Sequence, residues 1–312
     1  MTAATRRAAG RPSAEGRGER RVATFDLRAD GPLSLEHTLE SGQAFRWRRE
    51  DDGWWCGLVG ERLLHVRQAR GVLRVRCVRG DEEGAAQAVR SYLRLDDDLE
   101  AIYERIAVDD HMRRAIARFR GMRLVDQDPW ECLLTFVCSP ASNIPRIRLT
   151  VERIAARFGG AARLGDESRP AFPTPERMER ATEQDFRDLG GGFRSRYLAR
   201  IVEIANADEL DLALLREAPY AEARKALEAL PGVGPKVADC VLAFSAGKME
   251  AYPVDLHIYR ETMQYYGGHF TAYAGRASVP YDAMGAWARE YFGGYAGYAQ
   301  QYLFHGRRMG GS

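Results

Sequence analysis

Residues 230–240 read Leu230-Pro231-Gly232-Val233-Gly234-Pro235-Lys236-Val237-Ala238-Asp239-Cys240. A helical pattern precedes this stretch, over 221–229, and another follows it, over 236–246. The layout is helix–hairpin–helix. Gly232 and Gly234 let the backbone adopt unusual dihedrals and approach another surface without a Cβ in the way. The free amides at the start of the following helix can bind a phosphate oxygen. A tight turn between two helices, with no ligand, is the plainer alternative.

Working outward, Tyr252-Pro253-Val254-Asp255-Leu256-His257 follows downstream. Asp255 stands where an N-cap belongs, ahead of an amphipathic run with Leu256, Tyr259 and Met263. A capping role explains it fully. A carboxylate close to Lys236 can also stabilise positive charge developing on a bound molecule. Upstream, Asp128-Pro129-Trp130-Glu131 is a strong helix start, and the helix it opens is apolar on most sides, so burial is expected. Pro140 ends that helix. A further helix carries Ile147, Val151, Ile154 and Phe158 on one stripe, and Gly190-Gly191-Gly192 marks a sharp interhelical loop. Nearer the N-terminus, Leu73, Val75 and Cys77 alternate with Arg74 and Arg76, the period of a half-buried strand. Trp54 and Trp55 fall in a second such segment, 53–59. The fold class expected is therefore α+β: an antiparallel β domain followed by mainly helical domains.

Composition narrows the chemistry. The chain has 312 residues, 45% hydrophobic and 29% charged, as soluble globular proteins do, and is long enough for two or three packed domains. No apolar run reaches the ~18 residues that span a bilayer, nor does the Arg-, Ala- and Gly-rich start resemble a secretory signal, so an intracellular location is expected. The five cysteines are scattered without a Cys-x-x-Cys pair, which argues against a zinc site, an iron–sulfur cluster or a disulfide framework. No metal and no cofactor is expected. Net charge is only +2, yet 43 of the 46 basic residues are arginine. Only Lys225, Lys236 and Lys248 are lysines, and one of them sits in the hairpin. A buried lysine can act as a nucleophile, whereas arginine holds its proton too tightly. Asp96, Asp97 and Asp98 read as helix-start residues rather than metal ligands, and Arg113, Arg114, Arg118, Arg120 and Arg123 read as a solvated basic face.

Several motifs in register then carry a resemblance. They are Ser41-Gly42-Gln43-Ala44-Phe45-Arg46-Trp47, Gln127-Asp128-Pro129-Trp130-Glu131-Cys132, Leu189-Gly190-Gly191-Gly192-Phe193-Arg194-Ser195-Arg196-Tyr197, the hairpin with Lys236, Pro253-Val254-Asp255, and Tyr295-Ala296-Gly297-Tyr298-Ala299-Gln300 running on to Leu303-Phe304. From Phe25 to about Phe304 the sequence resembles the 8-oxoguanine DNA glycosylase family of the helix–hairpin–helix superfamily. The resemblance implies a bifunctional DNA glycosylase and apurinic lyase acting on double-stranded DNA by base flipping. In it Lys236 is the nucleophile that attacks C1′ and forms a Schiff base, and Asp255 stabilises the charged sugar. Cys240 and Phe304 take opposite faces of the flipped base, Gln300 reads its Watson–Crick edge, and the Gly42 carbonyl accepts from the N7–H that marks 8-oxoguanine. Arg146 and Arg194 are expected to read the opposite cytosine, Phe193 to fill the vacated stack, and Asn143, Gly232, Gly234 and His257 to contact DNA.

One departure is visible. In Ser139-Pro140-Ala141-Ser142-Asn143-Ile144-Pro145-Arg146, Ala141 replaces the asparagine by which the family contacts the opposite cytosine. Alanine offers no side-chain donor or acceptor, so relaxed reading of the opposite base is expected. The expected organisation is a basic tail over 1–21, a β-rich domain over 22–126, a helical domain of 127–142 plus 233–312 holding the pocket, and a second helical domain over 143–232. A monomer free of membranes is expected. Two rival functions remain, a monofunctional alkylpurine glycosylase of the same fold and a non-catalytic helix–hairpin–helix DNA-binding protein. Lys236 argues against the first.

Overall fold

The computed structural model describes residues 21–69 and 71–310; apart from Arg21, the expected tail lies outside them. Five antiparallel strands come first: β1 (Val22–Arg28), β2 (Arg48–Arg49), β3 (Trp55–Val59), β4 (Arg62–Ala69) and β5 (Val72–Val78), in the order β1-β5-β4-β3-β2. Their period-two pattern splits the sheet into two faces. Trp55, Leu64, Val66, Leu73, Val75 and Cys77 join the main core. Cys56, Leu58 and Leu63 point to the other face and form a separate apolar patch with Ala162, Leu164 and Ala171.

Those last three residues belong to, or directly follow, a hairpin that the sequence reading placed inside a purely helical segment. Strands β6 (Ala161–Leu164) and β7 (Glu167–Pro170) pair antiparallel, with Leu164 opposite Glu167 across Gly165-Asp166. Gly165 has φ +60°, as a two-residue hairpin turn requires of its first residue. The Gly-Asp dipeptide was the available signal, and the brevity of the strands hid it.

The remaining structure is helical. An early helix, α1 (Leu35–Glu40), lies between β1 and β2, and α2 (Glu82–Tyr92), α3 (Leu99–Ile106) and α4 (Asp110–Arg118) follow the sheet. Asp98 caps α3 by accepting from the amides of Glu100 and Ala101, as expected of a helix-start aspartate. Then come α5 (Pro129–Val137), α6 (Ile144–Phe158), α7 (Glu183–Asp188), α8 (Ser195–Asn206), α9 (Leu214–Glu217), α10 (Tyr220–Glu228), α11 (Pro235–Ser245), α12 (Leu256–Tyr266), α13 (Tyr281–Phe292) and α14 (Ala296–Arg308). Helices α3 and α4 pack on α14 at the far end of the chain. There the Tyr302 hydroxyl lies 2.9 Å from that of Tyr103 and donates to the Met122 carbonyl at 2.8 Å.

Two expectations need correction. Arg123 does not belong to a solvated basic face: it is fully buried, and its guanidinium donates to the carbonyls of Arg94, Asp97, Asp30 and Pro32. Its planar fork reaches four carbonyls from two separate loops. On α12, Tyr259 and Met263 pack half-buried against the core beside the fully buried Ile258, Glu261, Thr262 and Tyr266, and of the expected stripe only Leu256 is exposed. Leu256 is the first residue of the helix, directly after the cap at Asp255.

Candidate active site

Helices α5 and α11 pack side by side, with Phe136 stacked on Phe244 at 5.5 Å. The Gln127 amide, just before α5, donates to the Phe244 carbonyl near the end of α11. The two helices therefore run in opposite directions, which brings the end of α5 to the start of α11. There Lys236 Nζ donates to Ser139 Oγ at 2.9 Å and lies 5.3 Å from the centre of the Phe136 ring.

Lys236 opens onto a cavity of about 500 Å³ whose lining also includes Gly42, Cys240, Asp255, Gln300 and Phe304. Asp255 caps α12, its Oδ1 accepting from the Ile258 amide at 2.8 Å. Cys240 is one turn after Lys236 on the same helix. Burial pushes its thiol up to about 11, and the nearby Lys236 only partly offsets this, so it stays protonated at neutral pH. Of Cys240 and Lys236, one turn apart on the cavity wall, the thiol is disabled by its surroundings and the amine is left.

The far wall comes from the N-terminal region and α14. Gln300 is buried, and its Oε1 has no hydrogen-bond partner among the described residues. An orphaned acceptor on a cavity wall suits a ligand N–H. Gly42 has φ +85°, and a Cβ there would lie 3.0–3.1 Å from Ile144, Phe304 and Arg308. The Phe304 ring meets His257 edge-on at 6.1 Å, and His257 completes the rim beside Asn143.

A second concavity, of about 300 Å³, lies between Phe193, Arg194, Tyr197, Gly232, Val233 and Gly234. Phe193 is 53% exposed at the edge of this concavity. Gly232 has φ +77°, and a Cβ there would meet the Tyr197 ring at 2.5 Å, so this glycine serves packing as well as backbone exposure. Gly234 begins α11 in open space. Arg194 behaves differently from the expected base reader. It is buried, stacks on Phe193 at 4.4 Å, and donates to the carbonyls of Pro140 and Gly191. Asn143 caps α6 by accepting from the Arg146 amide at 3.0 Å, and Arg146 is exposed outside the cavity lining.

Comparison with known proteins decides the family. A model of the 8-oxoguanine DNA glycosylase N-terminal domain matches residues 27–133. The N-glycosylase/DNA lyase OGG1 of Arabidopsis thaliana is 33% identical over 283 residues, covering 87% of this chain and 76% of the relative. The chain belongs to the 8-oxoguanine DNA glycosylase family. Another relative, the probable N-glycosylase/DNA lyase of Methanothermobacter thermautotrophicus, is 31% identical over 90% of this chain and 95% of its own length. The 8-oxoguanine glycosylase/lyase of Clostridium acetobutylicum, solved with double-stranded DNA containing cytosine opposite 8-oxoguanine, superposes with a TM-score of 0.81 at 29% identity. That alignment covers 89% of this chain and 92% of the other.

In this member of the 8-oxoguanine glycosylase family the supports of the site were not legible beforehand. Gln43 is fully buried. It donates to the carbonyls of Arg123 and Thr38 and to Ser41 Oγ, and accepts from the Val125 amide. Gln127 donates to the Gln43 carbonyl, and Gln301 to that of Ser41. These amides fix the turn that presents Gly42. Ser139, the partner of Lys236, was likewise not singled out. Glutamines inside otherwise apolar motifs were the one available signal, since a buried amide must satisfy four hydrogen bonds somewhere.

Proposed function

We propose that this protein excises 8-oxoguanine from duplex DNA as a bifunctional glycosylase and apurinic lyase. The observation that carries the site assignment is the convergence of Lys236, Asp255, Cys240, Gly42, Gln300 and Phe304 on one cavity, although they are scattered from residue 42 to residue 304. About 500 Å³ is ample for one flipped base with its sugar.

The Lys236 amine bonds to C1′ and loses a proton as the bond from C1′ to the purine breaks, and the departing base takes the electron pair and a proton. The sugar opens to a Schiff base, a 2′ proton leaves, and the 3′ phosphate is eliminated. Asp255 stabilises the cationic sugar while still holding its helix cap. Neutral Cys240 offers one apolar face to the base and Phe304 the other. Gln300 Oε1 accepts from the base's Watson–Crick edge, and the Gly42 carbonyl accepts from N7–H. Phe193, beside the hairpin glycines, fills the gap left by flipping, and the α11 amides hold backbone phosphate. For Arg194 to reach an opposite cytosine it must release the Pro140 carbonyl. The protein acts as a monomer, with its pocket formed within one chain. The helical domain that supplies most of the pocket is assigned to 127–142 plus 233–312, beside a β-rich part over 22–126 and a mainly helical part over 143–232.

Borohydride trapping on duplexes containing 8-oxoguanine tests this. Wild type is expected to form a covalent complex and Lys236→Gln none. A Lys236→Gln variant that traps as well as wild type, or a wild type that does not trap, defeats the assignment. A non-catalytic DNA-binding protein would instead bind lesion and normal duplexes alike and leave the strand uncut.

A further inference from the structure

Away from the cavity, the hairpin β6–β7 and the outer face of the sheet enclose a second chemical cluster. Cys56 and His65 are direct cross-strand partners in the β3–β4 pair, so their side chains project from the same face. Glu50 approaches from the turn before β3, and Glu167 opens β7 on the covering hairpin. Glu167 is hydrogen-bonded to His65 Nε2 at 2.7 Å and accepts from Cys56 Sγ at 3.2 Å, while Glu50 lies 3.5 Å from His65 Nδ1. One donor atom from each of the four falls within 4.8 Å of the others.

We propose that Glu50, Cys56, His65 and Glu167 form a zinc-binding site that fastens the β6–β7 hairpin to the N-terminal sheet.

The donor set is right for zinc: one thiolate, one imidazole and two carboxylates on three separate segments. Zinc–ligand distances of about 2.0–2.3 Å place the ligand atoms of a tetrahedron roughly 3.3–3.8 Å apart, so small rotations complete the geometry. Cys56 and His65 are both buried, and His65 Nδ1 lacks a hydrogen-bond partner among the described residues. Arg169 donates to the cluster from its edge. Its Nη2 is bound to Glu152 at 2.8 Å, while Nη1 donates both to the Cys56 carbonyl at 3.1 Å and to Cys56 Sγ at 3.6 Å. Such a donor stabilises a coordinated thiolate from outside the ligand shell. Binding releases the Cys56 thiol proton to solvent and leaves Sγ as the ligand. The linear sequence conceals the site, because no two of its ligands share a metal-binding spacing. None of the four lines the cavity around Lys236, so the role is to hold the fold together.

The test uses the full chain, loaded with zinc and then desalted. One zinc per chain is expected in wild type by elemental analysis, falling to background in Cys56→Ser and His65→Gln. Loading wild type with cobalt(II) instead should give a thiolate-to-cobalt charge-transfer band that Cys56→Ser lacks. Wild type should also melt at a higher temperature with zinc than after chelation. The cobalt band and the melting shift need no variant to fold. Wild type that retains no zinc and gives no cobalt band overturns the proposal, and so does zinc retained equally by both variants.

Discussion

At Gly42, backbone angle and neighbours make the same demand. An alanine would be held at φ +85° and would press its methyl against Phe304, Ile144 and Arg308. The left-handed backbone alone costs about 1–2 kcal/mol for a residue with a Cβ. Gly42→Ala should therefore lower the melting temperature modestly while reducing 8-oxoguanine excision far more, since its methyl enters the base pocket. Equal losses in a melting curve and a single-turnover assay would mean that the residue is only structural. Ala141 poses the opposite problem. It is a non-glycine residue at φ +50°, a region that asparagine tolerates better than alanine. Ala141→Asn should thus fold at no cost, and excision opposite cytosine should rise relative to excision opposite adenine. An unchanged ratio of the two rates removes the idea that this position reads the opposite strand.

Helix α12 allows the two possible roles of Asp255 to be separated. Asparagine caps helices about as well as aspartate but carries no charge, whereas alanine does neither. Asp255→Asn should keep the melting temperature within a degree or two and lose most of the excision rate. Asp255→Ala should lose the rate and also about 1 kcal/mol of stability. If the Asn variant stays fully active, the aspartate is a cap and nothing more. Elements of this kind were legible in the sequence because each start signal acts locally: Asp98, Asp128 and Asp255 all cap helices with their own side chains. Gly42, Cys240, Gln300 and Phe304 of the cavity were also named in advance, through the resemblance rather than through spacing. What stayed hidden depends on partners distant in the chain. Arg123 was misread because nothing near it announces that it will bind the carbonyls of residues 30 and 32. The hairpin β6–β7 was missed because four-residue strands ending in Pro170 carry almost no periodic signal.

On the scale of the whole molecule, helix α14 ties the N-terminal region to the pocket. His305 is buried against Phe119 and lies 3.2 Å from His37 of α1. Burial, and then the charge of His37, depress its pKa from 6.5 to about 4. The unfolded chain thus takes up this proton from about pH 6.5 downward, while the folded chain resists until about pH 4. Stability should fall across that window by an amount on the order of 2 kcal/mol, with full stability above it. Urea denaturation at a series of pH values should show a flatter profile for His305→Gln than for wild type between those limits. Superimposable profiles would mean that this histidine does not contribute to acid sensitivity.

The covering of the sheet by a hairpin from mid-chain has a consequence for how the molecule is made. Leu58 and Leu63 find their partners Ala162 and Leu164 about a hundred residues later, and Phe119 waits still longer for His305. At roughly 5–20 residues per second, a ribosome leaves each of these apolar surfaces bare for on the order of ten seconds. The nascent chain must therefore pass its synthesis partly open, in need of shelter by chaperones, and it closes only when its last helix emerges.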